Sequence, residues 1–321
     1  MADFTREEIE EKLAELAELA EVLAAEEDDD TEIEISVTEV KGEDDEEEED
    51  EGTDEKSEQA QIEEVENPEE EEKTKGEGEE EEPGEALEEI PEEEEEVFSF
   101  AGTDLSGLDL SELDMSGLDF TEANLTDVNL KEAILEGAIF HKTDFTGADL
   151  HEAELTEANF TESILGKTSF LGANLSQADF TDAMLEETDF SNANLSDAVL
   201  SKHDLRKTIL DGADFRRTSL VESDLSGMEF QEMTFGKANC ARANFEGSKF
   251  TECDLTRANF KNVNFKKADL SDSKLNQGNF YSADFTDAVL IRAHAKGANM
   301  AEALLVNTNL TRAELAQIDF T

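Results

Sequence analysis

The stretch Ala173–Leu200, "ANLSQADFTDAMLEETDFSNANLSDAVL", returns a Leu, Phe or other apolar residue at every fifth position in an otherwise polar run. A helix does not accommodate this. Steps of five at about 100° each advance the face by about 140°, which scatters the apolar residues around the axis. A lone amphipathic strand fails too, because an odd step reverses the face of a two-residue period. The spacing demands a structural unit five residues long.

The same spacing holds from residue 100 to residue 320. The 45 positions at multiples of five hold 23 Leu, 18 Phe, Met115, Met300, Cys240 and Ala295, and only Phe4 and Phe98 lie off the register. Two residues earlier stands a small side chain, as at Ala123, Ala148 and Thr188, and one residue earlier Asp or Asn in 27 of the 45 units. The unit reads A-(D/N)-(L/F)-x-x. "ADLHEAELTEANF" and "ANLSQADFTDAML" are typical instances, and on them residues 98–321 resemble the pentapeptide-repeat family. That resemblance implies an all-β solenoid, a right-handed quadrilateral β-helix of about eleven coils with four units to the coil.

The residues lead the same way independently. Positions two apart in a short strand share a face, so the small residue and the following Leu or Phe both point inward. The other three turn a corner toward water. Proline is absent from 98 to 321, which fits an unbroken hydrogen-bond ladder. If the coil has twenty residues, Phe100, Phe120, Phe140, Phe160 and Phe180 form one aromatic stack. Glu122, Lys142 and Glu162 then alternate in sign up the surface, the arrangement that favours cross-strand pairs.

The first 97 residues are a different polymer. They hold 48 acidic and 6 basic side chains, out of a formal net charge of -61 for the whole chain. Residues 1–25 predict a short amphipathic helix, with Thr5 and Glu8 at capping-box spacing and a stripe of Ile9, Leu13, Leu16, Ala20 and Leu23. Alone it is marginal. It either frays, or docks on a partner surface or pairs with a second copy of itself. Residues 26–97 predict a disordered acidic low-complexity tail, too poor in apolar mass to offset its ordering entropy. Within it Ile33, Ile35 and Val37 alternate in "TEIEISVTEV", a segment suited to adding a strand to a partner's sheet and similar to the apolar core of a SUMO-interacting motif.

Catalytic chemistry finds little support. His141 and His151 fall on opposite sides of the square, His203 takes an inward position, and His294 stacks between Lys274 and Glu314. Cys240 and Cys253 point inward on different coils, so neither a disulfide framework nor a metal site is expected. No cofactor motif is present, and the chain is expected not to be an enzyme. The N-terminus lacks a basic region followed by an apolar core, and no apolar run approaches a membrane span. A cytoplasmic protein in a reducing compartment is the expectation.

Surface charge carries what functional signal there is. Residues 98–200 hold 21 acids and three lysines, whereas residues 201–321 hold 17 acids and 16 bases. At one charge per about 1.7 Å, B-DNA carries about 15 charges over the roughly 25 Å of five coils. The first half therefore has a DNA-like linear charge density. Two ridges place like charges in register: Glu112, Glu132 and Glu152 flanked by Asp109 and Asp149, and Arg217, Lys237 and Arg257. Both are candidate contact surfaces. The net charge favours a basic protein partner, DNA-binding proteins included, over nucleic acid or membrane. End-to-end pairing of two columns is a further option. The family resemblance implies that some members mimic DNA toward type II topoisomerases such as DNA gyrase. This chain is expected to differ from those, with no loop interrupting the coils and no obvious C-terminal helical module for dimerisation. A non-catalytic interaction scaffold is the first expectation, and DNA mimicry is the concrete alternative.

Overall fold

Each side of the column pairs with the residue twenty positions on. The computed structural model describes residues 4–26 and 99–321. Parallel bridges run Asp104–Asn124–Asp144 up one side, and three further series start at Asp109, Asp114 and Asp119. Four sides per twenty residues make a square coil. Only β1 (Glu229–Gln231) and β2 (Lys249–Thr251) extend to three residues among those described; they pair in parallel with Phe230 opposite Phe250.

The five-residue unit follows from its hydrogen bonds. On each side one N–H points up and one down: Leu125 N donates to Asp144 O and Asn124 N to Thr103 O, both at 2.8 Å. A turn then closes the corner, as Thr103 N donates to Phe100 O at 3.1 Å. The second corner residue, Lys207 excepted, takes positive φ, from 54° at Glu132 to 74° at Gly147. None of the residues in that conformation is β-branched, because a branched Cβ clashes there. The Asp or Asn before the central residue accepts the N–H two residues on, as Asp144 Oδ1 does from Thr146 at 2.9 Å. That local bond accounts for the Asp and Asn enrichment.

The core is the bore of the square. Phe100, Phe120, Phe140, Phe160 and Phe180 stack with centroids 5.0 to 5.2 Å apart. Where the inward small residue is Thr or Ser, its hydroxyl donates to a main-chain carbonyl, either of the coil below, as Thr143 to Phe120 at 2.6 Å and Ser223 to Leu200 at 2.7 Å, or of its own coil, as Ser163 to Phe160 at 2.7 Å. No buried side-chain polar atom among the described residues lacks a partner.

Larger side chains stand at three inward positions inside the column, His203, Met228 and Met233. Beside two of them the ladder opens. Among the described residues no bridge joins Met184 to Asp204 or Ile209 to Glu229, although the same series continue above and below. Interiors packed to native density pass one extra side chain on as backbone displacement.

The N-terminal helix α1 (Arg6–Glu26) belongs to the same compact unit as the column and closes its first coil. Thr5 and Glu8 form the capping box: Thr5 N donates to Glu8 Oε2 at 2.7 Å, and Glu8 N to Thr5 Oγ1 at 3.3 Å. Ile9 is fully buried, Leu13 packs against the same core, and the Phe4 ring meets Phe100 edge-on at 5.8 Å. In this first coil the inward positions hold Leu108, Leu113 and Leu118, partly buried against the same core. The partner surface that this marginal helix requires is thus the column itself. The sequence expectations for residues 26–97, including the Ile33–Val37 segment, lie outside the described residues, apart from Glu26, the last residue of α1.

Candidate interaction surface

The corners of the square present the charged side chains. Glu112, Glu132 and Glu152 occupy the positive-φ position of one corner edge, at 63°, 54° and 56°, and all three are exposed. They are held in register by the ladder, since Glu112 N donates to Lys131 O and Glu132 N to His151 O, both at 2.9 Å. Among the described residues none pairs with a lysine or arginine; Glu152 has His151 at 3.4 Å.

The flanking carboxylates on the adjoining side are engaged. Asp109 takes a hydrogen bond from Asn129 at 2.8 Å and lies 3.4 Å from the Arg6 guanidinium. Its carboxyl is held below the usual range, first by the Ser111 hydroxyl and main-chain N–H and then by Arg6. Asp149 pairs with Lys131 at 2.9 Å. The structure therefore brings all five predicted acids together but inserts two cations among them. Arg6 was invisible to the repeat pattern, because it arrives from 103 residues upstream.

The second ridge lies on another corner edge. Arg217, Lys237 and Arg257 share the positive-φ position at 61°, 60° and 60°. Arg217 forms a two-pronged pair with Asp197, at 2.7 and 2.6 Å. Arg257 donates through Nε to Gln277 at 2.7 Å. The neighbouring Arg216 pairs with Asp214 at 2.6 Å. Sequence reasoning missed Arg216, which stands beside the in-register column instead of in it.

The remaining reactive groups are occupied structurally. His203 is half-buried, with Nε2 2.9 Å from Phe180 O, and burial pushes its pKa down. His294 lies 2.9 Å from Glu314. Burial raises the thiol pKa of Cys240, and that of Cys253 to about 11, so both are poor nucleophiles at neutral pH. Among the described residues no cluster of His, Cys, Asp and Glu is placed to hold a metal ion. No described helix is long and apolar enough to cross a membrane.

The family model for pentapeptide repeats matches residues 99–127, 123–161, 153–192, 188–227, 238–277 and 283–321, with eight copies. No curated protein sequence matches the chain. Among solved structures, HetL from the cyanobacterium Nostoc sp. strain PCC 7120, a pentapeptide repeat protein involved in heterocyst differentiation regulation, is 24% identical. The match covers 67% of this chain and 89% of HetL, with a TM-score of 0.36. QnrB1, a plasmid-mediated fluoroquinolone resistance protein, is 16% identical over 66% of this chain and 86% of its own, with a TM-score of 0.26. A pentapeptide repeat protein of the Arabidopsis thaliana thylakoid lumen is 26% identical over 40% of this chain and 65% of its own, with a TM-score of 0.14. By the family model alone, which spans well over half of its residues, this chain belongs to the pentapeptide-repeat family.

Proposed function

We propose that the protein is a non-catalytic interaction scaffold whose acidic half docks a basic protein partner in a reducing, cytoplasmic setting. The observation that carries this reading is the edge of Glu112, Glu132 and Glu152, three exposed carboxylates in register with no lysine or arginine paired to them among the described residues. Like charges directly across strands cost stability. An edge that keeps them gains most when a cationic surface covers it, and the attraction acts over about a Debye length, ~8 Å at physiological salt.

DNA mimicry is the sharper form of the same reading. It is supported by the 21 acids and three lysines of residues 98–200. A DNA-binding enzyme such as a type II topoisomerase would meet this half as it meets a duplex, by long-range steering. A scaffold of this kind also permits end-to-end pairing, which would cover Leu305, Leu310, Leu315 and the half-exposed Phe320 of the last coil.

The test is binding of purified DNA gyrase and of a basic non-DNA-binding control protein across a salt series. Triple reversal of Glu112, Glu132 and Glu152 to Lys should abolish binding, while reversal of Glu232 and Glu252 should weaken it far less. Binding of gyrase alone supports mimicry, and binding of both proteins supports the general scaffold. Equal loss from both sets of reversals would assign binding to net charge and remove this edge as the site.

A further inference from the structure

The basic edge encloses a notch that the acidic-scaffold reading does not use. Its cavity of about 320 Å³ is lined by Arg216, Arg217, Lys237 and Arg257, with Thr234 and Thr256 beside them. Its floor is Gly236, where the neighbouring coils carry Arg216 and Thr256. The missing side chain is what opens the space. An added Cβ there would meet only Thr234 Oγ1 at 3.7 Å and Thr256 O at 3.9 Å.

The four cations are not equivalent. Arg216 and Arg217 are neutralised by Asp214 and Asp197. Lys237 and Arg257 have no acidic partner among the described residues, although the chain as a whole carries -61. The one carboxylate in the lining, Asp254, already accepts the Thr256 N–H at 2.9 Å. Two cations without a carboxylate partner among the described residues, Lys237 and Arg257, the latter with Nε on Gln277, thus stand one coil apart, about 4.8 Å along the column, beside a notch with hydroxyl groups on its wall.

We propose that this notch binds a phosphoryl dianion. A phosphate monoester carries about -1.5 to -2 charges at pH 7 and three acceptor oxygens, which matches two unpaired cations and the adjacent threonine hydroxyls. A single carboxylate neutralises only one of them. A nucleic-acid strand does not fit the footprint: the cationic run spans two coil steps, about 10 Å, and the same edge continues below into Asp197, Gln177 and Glu157. The group arrives either as free phosphate or on a phosphorylated peptide side chain.

Titration of the full chain with inorganic phosphate, a short phosphoserine peptide and its unphosphorylated twin separates these sources. Both phosphoryl probes should bind and the unphosphorylated peptide should not. A phosphopeptide at least tenfold tighter than phosphate identifies a peptide partner, and equal affinities identify a free-anion site. Lys237→Gln and Arg257→Gln should each weaken binding about tenfold. Gly236→Leu should block it with every cation retained. Lys202→Gln, on a different corner edge, should leave it unchanged. Failure of both phosphoryl probes to bind overturns the proposal, and so does a Lys202→Gln loss equal to that of Lys237→Gln. Because gyrase binding is read on the opposite charge and in the other half, neither result bears on the acidic edge.

Discussion

The guanidinium of Arg6 donates to the main-chain oxygen of Ser111 at 3.1 Å, and to that of Asp109 at 3.2 Å. In the next coil the equivalent oxygens accept main-chain N–H groups from the coil beneath: Asn129 O from Leu110 and Lys131 O from Glu112. Arg6 thus stands in for a missing strand. Terminal repeats need such caps, because an open ladder is a template for unwanted pairing.

Removal of this cap should loosen the column without unfolding it. Ile9→Asp places a charge in a fully buried site and should release α1, lowering the melting temperature and the helical circular dichroism while the β signal persists. Arg6→Ala should cost less, about 1 kcal/mol, since Ile9, Phe4 and Leu13 still hold the helix. Deletion of residues 1–26 should give a folded but more association-prone column, measured by light scattering and thermal melts. Loss of all cooperative unfolding would show that α1 belongs to the folding unit.

Gly278 takes an inward position where most coils have Ala. Its φ is ordinary, and space is what restricts it. A Cβ would lie 2.6 Å from Phe280 Cε2, 3.1 Å from Cζ and 3.2 Å from Leu275 O. Gly278→Ala should therefore destabilise by about 1–3 kcal/mol. Gly236→Ala, which meets nothing closer than 3.7 Å, should stay near neutral. Urea midpoints of the two variants read the contrast directly, and equal midpoints would mean that the Phe280 ring shifts freely.

The coil was legible because one five-residue rule repeats without a slip, and the stacked residues confirm it ring by ring from Phe100 to Phe180. The corner edges that carry Glu132 and Lys237 follow from the same register. The cap was not legible. Its contacts, Ile9 and Phe4 on the first coil and Arg6 on Ser111, join segments that no repeat relates, so periodicity could show only that the helix needed a partner. The ladder openings beside His203 and Met228 come from side-chain volume at a position whose identity the eye reads as merely inward. Gly236 as the floor of a notch likewise depends on which side chains stand above and below it.

Glu132 sits at φ 54°. A left-handed residue with a Cβ costs roughly 1–2 kcal/mol, and glycine avoids that cost while adding freedom to the unfolded chain. Glu132→Gly should leave stability unchanged or slightly raised. Glu132→Val should lower it by about 1–2 kcal/mol, because a branched Cβ is worst there. The same pair of changes at Lys237, with φ 60°, should repeat the pattern. Such corner variants separate a charge effect on binding from a backbone effect on folding, since Glu132→Gly removes the carboxylate without strain.

His203 couples the ladder opening to pH. Its ring is half-buried at an inward position, with Nε2 against Phe180 O and the Asp182 carboxylate nearby. Burial lowers its pKa below the ordinary value, and the Phe180 carbonyl and Asp182 oppose this only in part. The folded state therefore binds this proton less readily than the unfolded chain. Its contribution is fully present above the unfolded pKa of about 6.5 and is lost as pH falls toward the lower folded value. Between pH 7.5 and 5.5, before most carboxylates titrate, the melting temperature should fall on acidification. His203→Ala restores the small residue usual at this position and should flatten that slope. It should also close the gap beside Met184, seen as slower amide hydrogen exchange at Leu185. An unchanged slope in His203→Ala would mean that this ring does not set the pH dependence.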